Sequence, residues 1–289
     1  PDAVDVDPPP ACNTSANGGG SCNTAPEPSA PYVCSIERLN YSQGSLTPDA
    51  FVRRYATRGK PVLLKGGCKG VLGLEEKWTH ERLRSLHGQH SINLTRSSMA
   101  TAWQYGGAQG DRASERTTTL GAFVSGLAGE QPKDEEEADP WYLITKKLPW
   151  IASELRHHPL FEEGFELSMA SRDEMALLSI GAHSSGAHFH QHSDAWNCVV
   201  YGRKRWGLIP PAAEYRSPTD SSAVWWETIQ PRLRASHYPY LHECVQEAGD
   251  LLFVPTAWLH TVYNLATTVS VAVQVGAPSK SWVEYGIVT

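Results

Sequence analysis

Apolar positions in this chain follow different rhythms along its length. Residues 1–31 have none: Pro, Gly, Ser and Asn dominate, and large apolar side chains are nearly missing. Such a segment cannot bury enough surface to offset its ordering entropy, so it reads as a flexible tail. From "CSIERL" to about residue 170, helical spacing mixes with short apolar runs. In "TPDAFVRRYATRG", Thr47 is a good N-cap with Pro48 at the first helical position. Phe51 and Tyr55 share a face, and Gly59 closes the helix. "PVLLKG" then reads as a buried strand, "THERLRSLHG" as a short helix, "HSINLT" as a strand and "TTLGAFVSGLAG" as a third helix. "KDEEEADP" is a solvated acidic loop.

From about Met175 the texture changes to short strands set off by turns: "MALLSIGA", "AWNCVVYG", "KRWGLIPP", "DLLFVPT", "HTVYNLA" and "TVSVAVQVG". That spacing predicts an all-β sandwich or barrel. The expected organisation is a tail over 1–31, a mixed helical region over 32–170 packed on the barrel, and a β core over 171–289. "RSPTDSSAVWWETIQPRLRASHYP" shows no legible element and reads as a long loop placed to shape an entrance.

Composition narrows the classes. No run of about eighteen apolar residues occurs, so a membrane-spanning helix is not expected. A net charge of -6 argues against a dedicated nucleic-acid binder. Six cysteines include no CxxC pair, which disfavours a zinc ribbon, and an even number suits disulfides in an oxidising compartment. Sequons at Asn13, Asn40 and Asn93 point to a glycoprotein of the secretory pathway. Cys12 and Cys22 are placed to close a small loop in the tail. Pro1 in place of an initiator Met is what removal of a signal peptide would leave.

The chemistry concentrates in two places. "HFHQHSDAW" puts His188, His190 and His192 on one face of a strand, with Asp194 continuing the row. "GDLLFVPTAWLHTVYNLATT" carries His260, which a barrel can bring opposite that row. Two ligands from one strand region and one from a distant strand make a facial metal site with open positions opposite. Neither GxSxG, GxGxxG nor a phosphate-binding glycine loop is present.

Together, "HFHQHSDAWNCVVYGRKRWGLIPP" and "GDLLFVPTAWLHTVYNL" resemble the JmjC branch of the cupin superfamily, with "PVLLKG" after the Phe51/Tyr55 helix resembling its N-terminal part. The resemblance covers about residues 34–280. It implies a double-stranded β-helix (cupin or jelly-roll) with N-terminal helices and flanking strands. It also implies an Fe(II)/2-oxoglutarate-dependent oxygenase, most directly a hydroxylase of a protein or peptide. His190 and His260 take the family's histidine positions, and His192 stands where the family has a carboxylate. A literal H-x-D at His192–Asp194 keeps Asp194 as a rival third ligand, reachable if the strand bulges after His190. His188 is a flanking residue. By the same resemblance Lys204 anchors the distal carboxylate of 2-oxoglutarate and Asn197 assists. In strand alternation Lys204 shares a face with Trp206, away from Arg203 and Arg205. Trp196, Trp206 and Trp258 are packing residues or pocket borders.

The H-x-H pattern makes the site one charge more positive and suits zinc or manganese as well as iron. It leaves open a second reading, a scaffold or binding protein with a structural or vestigial metal. "CSIERL", "FHQH", "YGRKRW" and "EC" before "AGDLLFVP" resemble an endoplasmic-reticulum luminal branch of the family. That likeness implies a Cys34–Cys244 disulfide, with two reduced cysteines as the alternative.

Overall fold

A computed structural model describes residues 34–100, 115–127, 139–146, 148–161, 176–219 and 221–275. The chain divides into residues 1–31 and a unit Tyr32–Thr289. The tail, with Cys12, Cys22 and Asn13, and most of the acidic loop lie outside the described residues.

Among the described residues thirteen strands form two sheets. In chain order they are β1 (Glu37–Asn40), β2 (Val62–Lys65), β3 (Ser91–Arg96), β4 (Glu115–Thr119), β5 (Trp141–Thr145), β6 (Ala176–Gly181) and β7 (Gly186–His190). There follow β8 (Ala195–Tyr201), β9 (Arg203–Ile209), β10 (His242–Glu247), β11 (Leu251–Val254), β12 (Leu259–Asn264) and β13 (Thr268–Gln274). The larger sheet runs β1-β2-β11-β8-β13-β6-β5-β3-β4 and the smaller β10-β9-β12-β7. Among the described residues the strands pair antiparallel except β1 with β2. The strands switch between sheets as the chain advances, which is the jelly-roll arrangement the sequence implied.

Alternation sorts the side chains. Leu177, Ser179, Ala195, Asn197, Ala272 and Gln274 turn toward the space between the sheets. Their neighbours Leu178, Ile180, Trp196, Cys198, Val271 and Val273 turn the other way, into the main core. There they meet Phe51, Tyr55, Trp78, Leu83 and Leu120 from the N-terminal region. Both faces of the larger sheet are therefore covered, which is why its central strands read as nearly continuous apolar runs. The N-terminal helix starts as expected: Ala50 N donates to Thr47 Oγ1 at 3.2 Å, with Pro48 next to the cap. Gly59, at φ 55°, follows its end.

The stretch 216–239 is not the open loop expected. It holds helical turns at Ser222–Val224, Trp225–Ile229 and Gln230–Ala235. Trp225 and Trp226 are buried against Phe189 and Ile209 and cover the outer face of the smaller sheet. Arg205, on the opposite side of β9 from Lys204, lies over the Trp226 ring at 4.2 Å and pairs with Glu243 at 2.8 Å.

Two disulfides among the described residues staple this frame. Cys34–Cys244 ties the segment before β1 to β10, and Cys68–Cys198, which the sequence did not suggest, ties the turn after β2 to β8. They span 210 and 130 residues. Long closed loops restrict the unfolded chain most, so replacing both cysteines of either bridge with serine should cost about 2–5 kcal/mol. Urea unfolding without reductant checks this, and an unchanged midpoint would contradict it.

Candidate active site

The space between the sheets is a cavity of about 180 Å³. Its lining includes His190 from β7, His192 just beyond it, Lys204 and Trp206 from β9, and His260 from β12. Asn197 from β8, Ser179 from β6 and Tyr142 from β5 face it from the larger sheet. The volume is on the order of ten times what one water needs, enough for a small organic acid.

The three histidines converge. One donor nitrogen of each of His190, His192 and His260 lies within 4.8 Å of the others, and no further metal-ligating group of three occurs among the described residues. The ring centroids of His190 and His260 are 4.1 Å apart. Each ring is turned by its own backbone neighbourhood. His190 Nδ1 lies 2.7 Å from His188 O, His192 Nδ1 2.7 Å from Ser193 O, and His260 Nδ1 2.8 Å from Trp258 O. A carbonyl only accepts, so each Nδ1 carries the proton and each Nε2 keeps a free lone pair. That is the tautomer a metal ligand needs, fixed by the outer contact. Burial keeps the rings neutral, helped at His190 and His260 by the neighbouring rings: His190 falls to about 3, His192 is lowered, and His260 is lowered well below its usual value. Three neutral imidazoles with convergent lone pairs fit a divalent transition metal.

The row of histidines differs from the expected one. Antiparallel pairing sets His260 opposite His190 but Val262 opposite Ala187, so β7 carries one extra residue between them. The parity flips there: Ala187 and His190, three apart, both face the cavity. His188 is buried with its ring edge toward Phe189, and its carbonyl serves His190. The irregularity thus precedes His190 rather than following it. Gly186 is what lets β7 come close enough to β12, since a Cβ there would stand 2.0 Å from Val262 O.

Asp194 sits apart from the three histidines. Its Oδ1 accepts from Thr256 N and Thr256 Oγ1, both at 2.6 Å, while Asp194 N donates to Thr256 Oγ1 at 2.9 Å. Ala257, at φ 62°, donates its N–H to His192 O at 3.0 Å. These bonds fasten the loop that carries His192 to the loop that leads into His260. Burial raises the Asp194 carboxyl to about 6 against the pull of the Thr256 bonds. Asp194→Ala should cost about 1–3 kcal/mol through the stranded Thr256 groups and leave Mn(II) affinity within about tenfold, or 1.4 kcal/mol. His192→Ala should lose the metal. Calorimetric titration of both variants decides, and a metal lost equally in both would make Asp194 a ligand.

Lys204 is 2% exposed. Its Nζ donates to Ser179 Oγ at 3.0 Å and toward Tyr142 OH at 3.5 Å, with no carboxylate in reach among the described residues. Burial pushes the ammonium down to about 7 and the Tyr142 phenol up to about 12. Asn197, also buried, has an Oδ1 without a hydrogen-bond partner. Behind it Gln246 spans the sheets, donating to Asn197 O at 2.9 Å and accepting from Trp206 Nε1 at 2.9 Å. Trp206 borders the cavity, whereas Trp196 belongs to the core and Trp258 is half-buried beside it, donating to Gly59 O. Sequence reasoning missed Tyr142, Ser179 and Lys146. Ser179, a lone polar residue in "ALLSIG", was the one recoverable signal.

Comparison with known proteins agrees with this architecture. A cupin-like domain matches residues 48–275. JmjC domain-containing protein 8 of Homo sapiens is 36% identical over 247 residues, which cover 84% of each chain. The bifunctional arginine demethylase and lysyl-hydroxylase psr-1 of Caenorhabditis elegans is 33% identical over 265 residues, 83% of this chain and 61% of that protein. The 2-oxoglutarate and iron-dependent oxygenase JMJD4 of Gallus gallus is 34% identical over 111 residues, 34% of this chain and 26% of that protein. The chain thus spans anywhere from about a quarter to most of the length of the proteins it matches.

Proposed function

This chain belongs to the cupin-like JmjC family, and on that premise we propose that it is an Fe(II)/2-oxoglutarate-dependent oxygenase hydroxylating a protein or peptide in the secretory pathway. The observation that carries the proposal is the meeting, in one cavity, of three convergent imidazoles and a buried lysine without an acidic partner among the described residues. His190, His192 and His260 would hold the metal through Nε2. Bound iron would supply the activation of oxygen. In the balanced reaction a substrate C–H becomes C–OH, one atom of O₂ enters that hydroxyl, and the other enters succinate as 2-oxoglutarate loses CO₂.

The chain's own groups have separate tasks. Lys204 pairs with the distal carboxylate of 2-oxoglutarate, and Tyr142 and Ser179 hold its ammonium toward the cavity. Asn197 Oδ1 offers an unspent acceptor on the same wall. Ala187, Val262 and Ala272 keep that end of the cavity apolar and short of water. A protein or peptide substrate is supported by the arginine demethylase and lysyl-hydroxylase named among the relatives.

Location in the endoplasmic-reticulum lumen is supported by two disulfides and by exposed sequon residues Asn40 and Asn93. No helix among the described residues is long and apolar enough to cross a membrane.

Incubation with Fe(II), 2-oxoglutarate and ¹⁸O₂ tests the proposal. Succinate and hydroxylated peptide should form one to one, each with a single heavy oxygen. Bound cosubstrate with no succinate above the enzyme-free rate, across luminal protein extracts, would instead favour a scaffold with a vestigial metal. The absence of a carboxylate beside the three histidines among the described residues is the observation on that side.

A further inference from the structure

The charge of the cavity speaks to its substrate, an inference that rests on the oxygenase reading above. Among the described lining residues are two lysines and three histidines but no aspartate or glutamate, in a chain whose net charge is -6. Lys204 is deep and assigned to the cosubstrate. The second lysine, Lys146, follows β5 and is exposed while still forming part of the cavity wall. It makes no ion pair among the described residues, and it shares the cavity wall with His192. A surface lysine without a partner is ordinary. One that lines a cavity with no carboxylate among its described lining residues is different, because nothing among them offsets its charge.

The formal charges sharpen the point. A divalent metal and two lysines exceed a dianionic cosubstrate by about two positive charges, one more than if a carboxylate stood at His192. A lysine or arginine side chain entering this site would meet like charge, whereas a carboxylate would be drawn in. The cavity, about 180 Å³, would be shared with the cosubstrate, so most of a polypeptide substrate stays outside it. That part must lie across the mouth, where Lys146 stands.

We propose that the substrate is an acidic polypeptide segment, and that Lys146 takes the carboxylate of an aspartate or glutamate at or beside the reacting residue. Lys146 is then a specificity residue of this site.

The test uses the full chain loaded with Mn(II), an oxygen-inert stand-in for iron, and 2-oxoglutarate. Random peptide libraries of matched composition, differing only in a fixed central Glu, Gln or Lys, are captured and quantified by mass spectrometry. The Glu library should be retained about tenfold or more over the Gln library, as expected for a close charge pair, and the Lys library least. The preference should weaken with added salt. It should vanish in Lys146→Gln, persist in Lys146→Arg and turn toward the Lys library in Lys146→Glu. Equal retention of the Glu and Gln libraries, or an unaltered preference in Lys146→Gln, would overturn the proposal.

A parallel titration of 2-oxoglutarate, followed by the relaxation of Mn(II)-bound water, separates the failures. Cosubstrate binding lost in Lys146→Gln would assign that lysine to the cosubstrate and end the proposal. If 2-oxoglutarate fails to bind the wild-type protein, the oxygenase reading fails on that result and the proposal falls with it.

Discussion

Lys204→Met is expected to stabilise the ligand-free protein while removing 2-oxoglutarate binding. The ammonium is 2% exposed and burial holds it near pH 7, down from 10.5. A lowered lysine means that the unfolded chain binds the proton more tightly than the folded one. The cost to folding is therefore fully present below about 7, shrinks as pH rises, and is gone above about 10.5. Its size is on the order of several kcal/mol. Methionine keeps the stem's volume without the charge, so the variant should melt higher than wild type at pH 6 and converge with it toward pH 10. Cosubstrate binding reverses the balance by giving the ammonium a partner. In the Mn(II)-loaded wild-type protein at pH 8, 2-oxoglutarate should take up close to one proton, visible as a buffer-dependent enthalpy. The variant should bind about a hundredfold or more weakly, since breaking a buried charge pair costs about 3–5 kcal/mol. A variant that binds 2-oxoglutarate normally would remove Lys204 from the site.

The second large effect is expected at His260. Its ring is buried at the centre of the group, 4.1 Å from His190, 4.7 Å from His192 and 5.9 Å from Trp206 by centroid. His260→Ala deletes one of three ligands, and groups that merely orient ligands already contribute about 10–100-fold to metal affinity. Mn(II) affinity should fall by at least that factor. The folded state should survive, because the strand is held by pairing to β9 and β7 and not by the ring. Thermal unfolding shows both points at once. Metal at about a hundred times its dissociation constant stabilises wild type by about 2.7 kcal/mol, and the variant should show no such rise. Equal stabilisation of the two proteins would place the metal elsewhere.

What the sequence shows and hides follows from physical range. Alternation is local, so the strands from Met175 onward were legible, as was the facing of Lys204 with Trp206 and away from Arg205. The histidine row failed for the same reason: one extra residue in β7 flips parity, and nothing in "GAHFH" marks it. The turns over 222–235 were hidden because Trp225 and Trp226 lie adjacent, on no helical stripe, and are buried against β-sheet residues far along the chain. Cys68–Cys198 needed the knowledge that β2 and β8 flank β11. Tyr142 and Lys146 reach the cavity only because β5 pairs with β6, a long-range register that one chain does not print. Asp194, a rival ligand in the sequence, stands outside the histidine group and gives its Oδ1 to Thr256, sixty-two residues away.

The most direct test of the account titrates Mn(II) into the metal-free protein, follows water-proton relaxation, and then adds 2-oxoglutarate. The account predicts binding that needs His190, His192 and His260, and a drop in relaxivity as the cosubstrate displaces metal-bound water. That drop should be absent in Lys204→Met at the same concentrations. Metal-bound water indifferent to 2-oxoglutarate, or a variant responding as wild type does, would contradict a shared metal and cosubstrate site in this cavity.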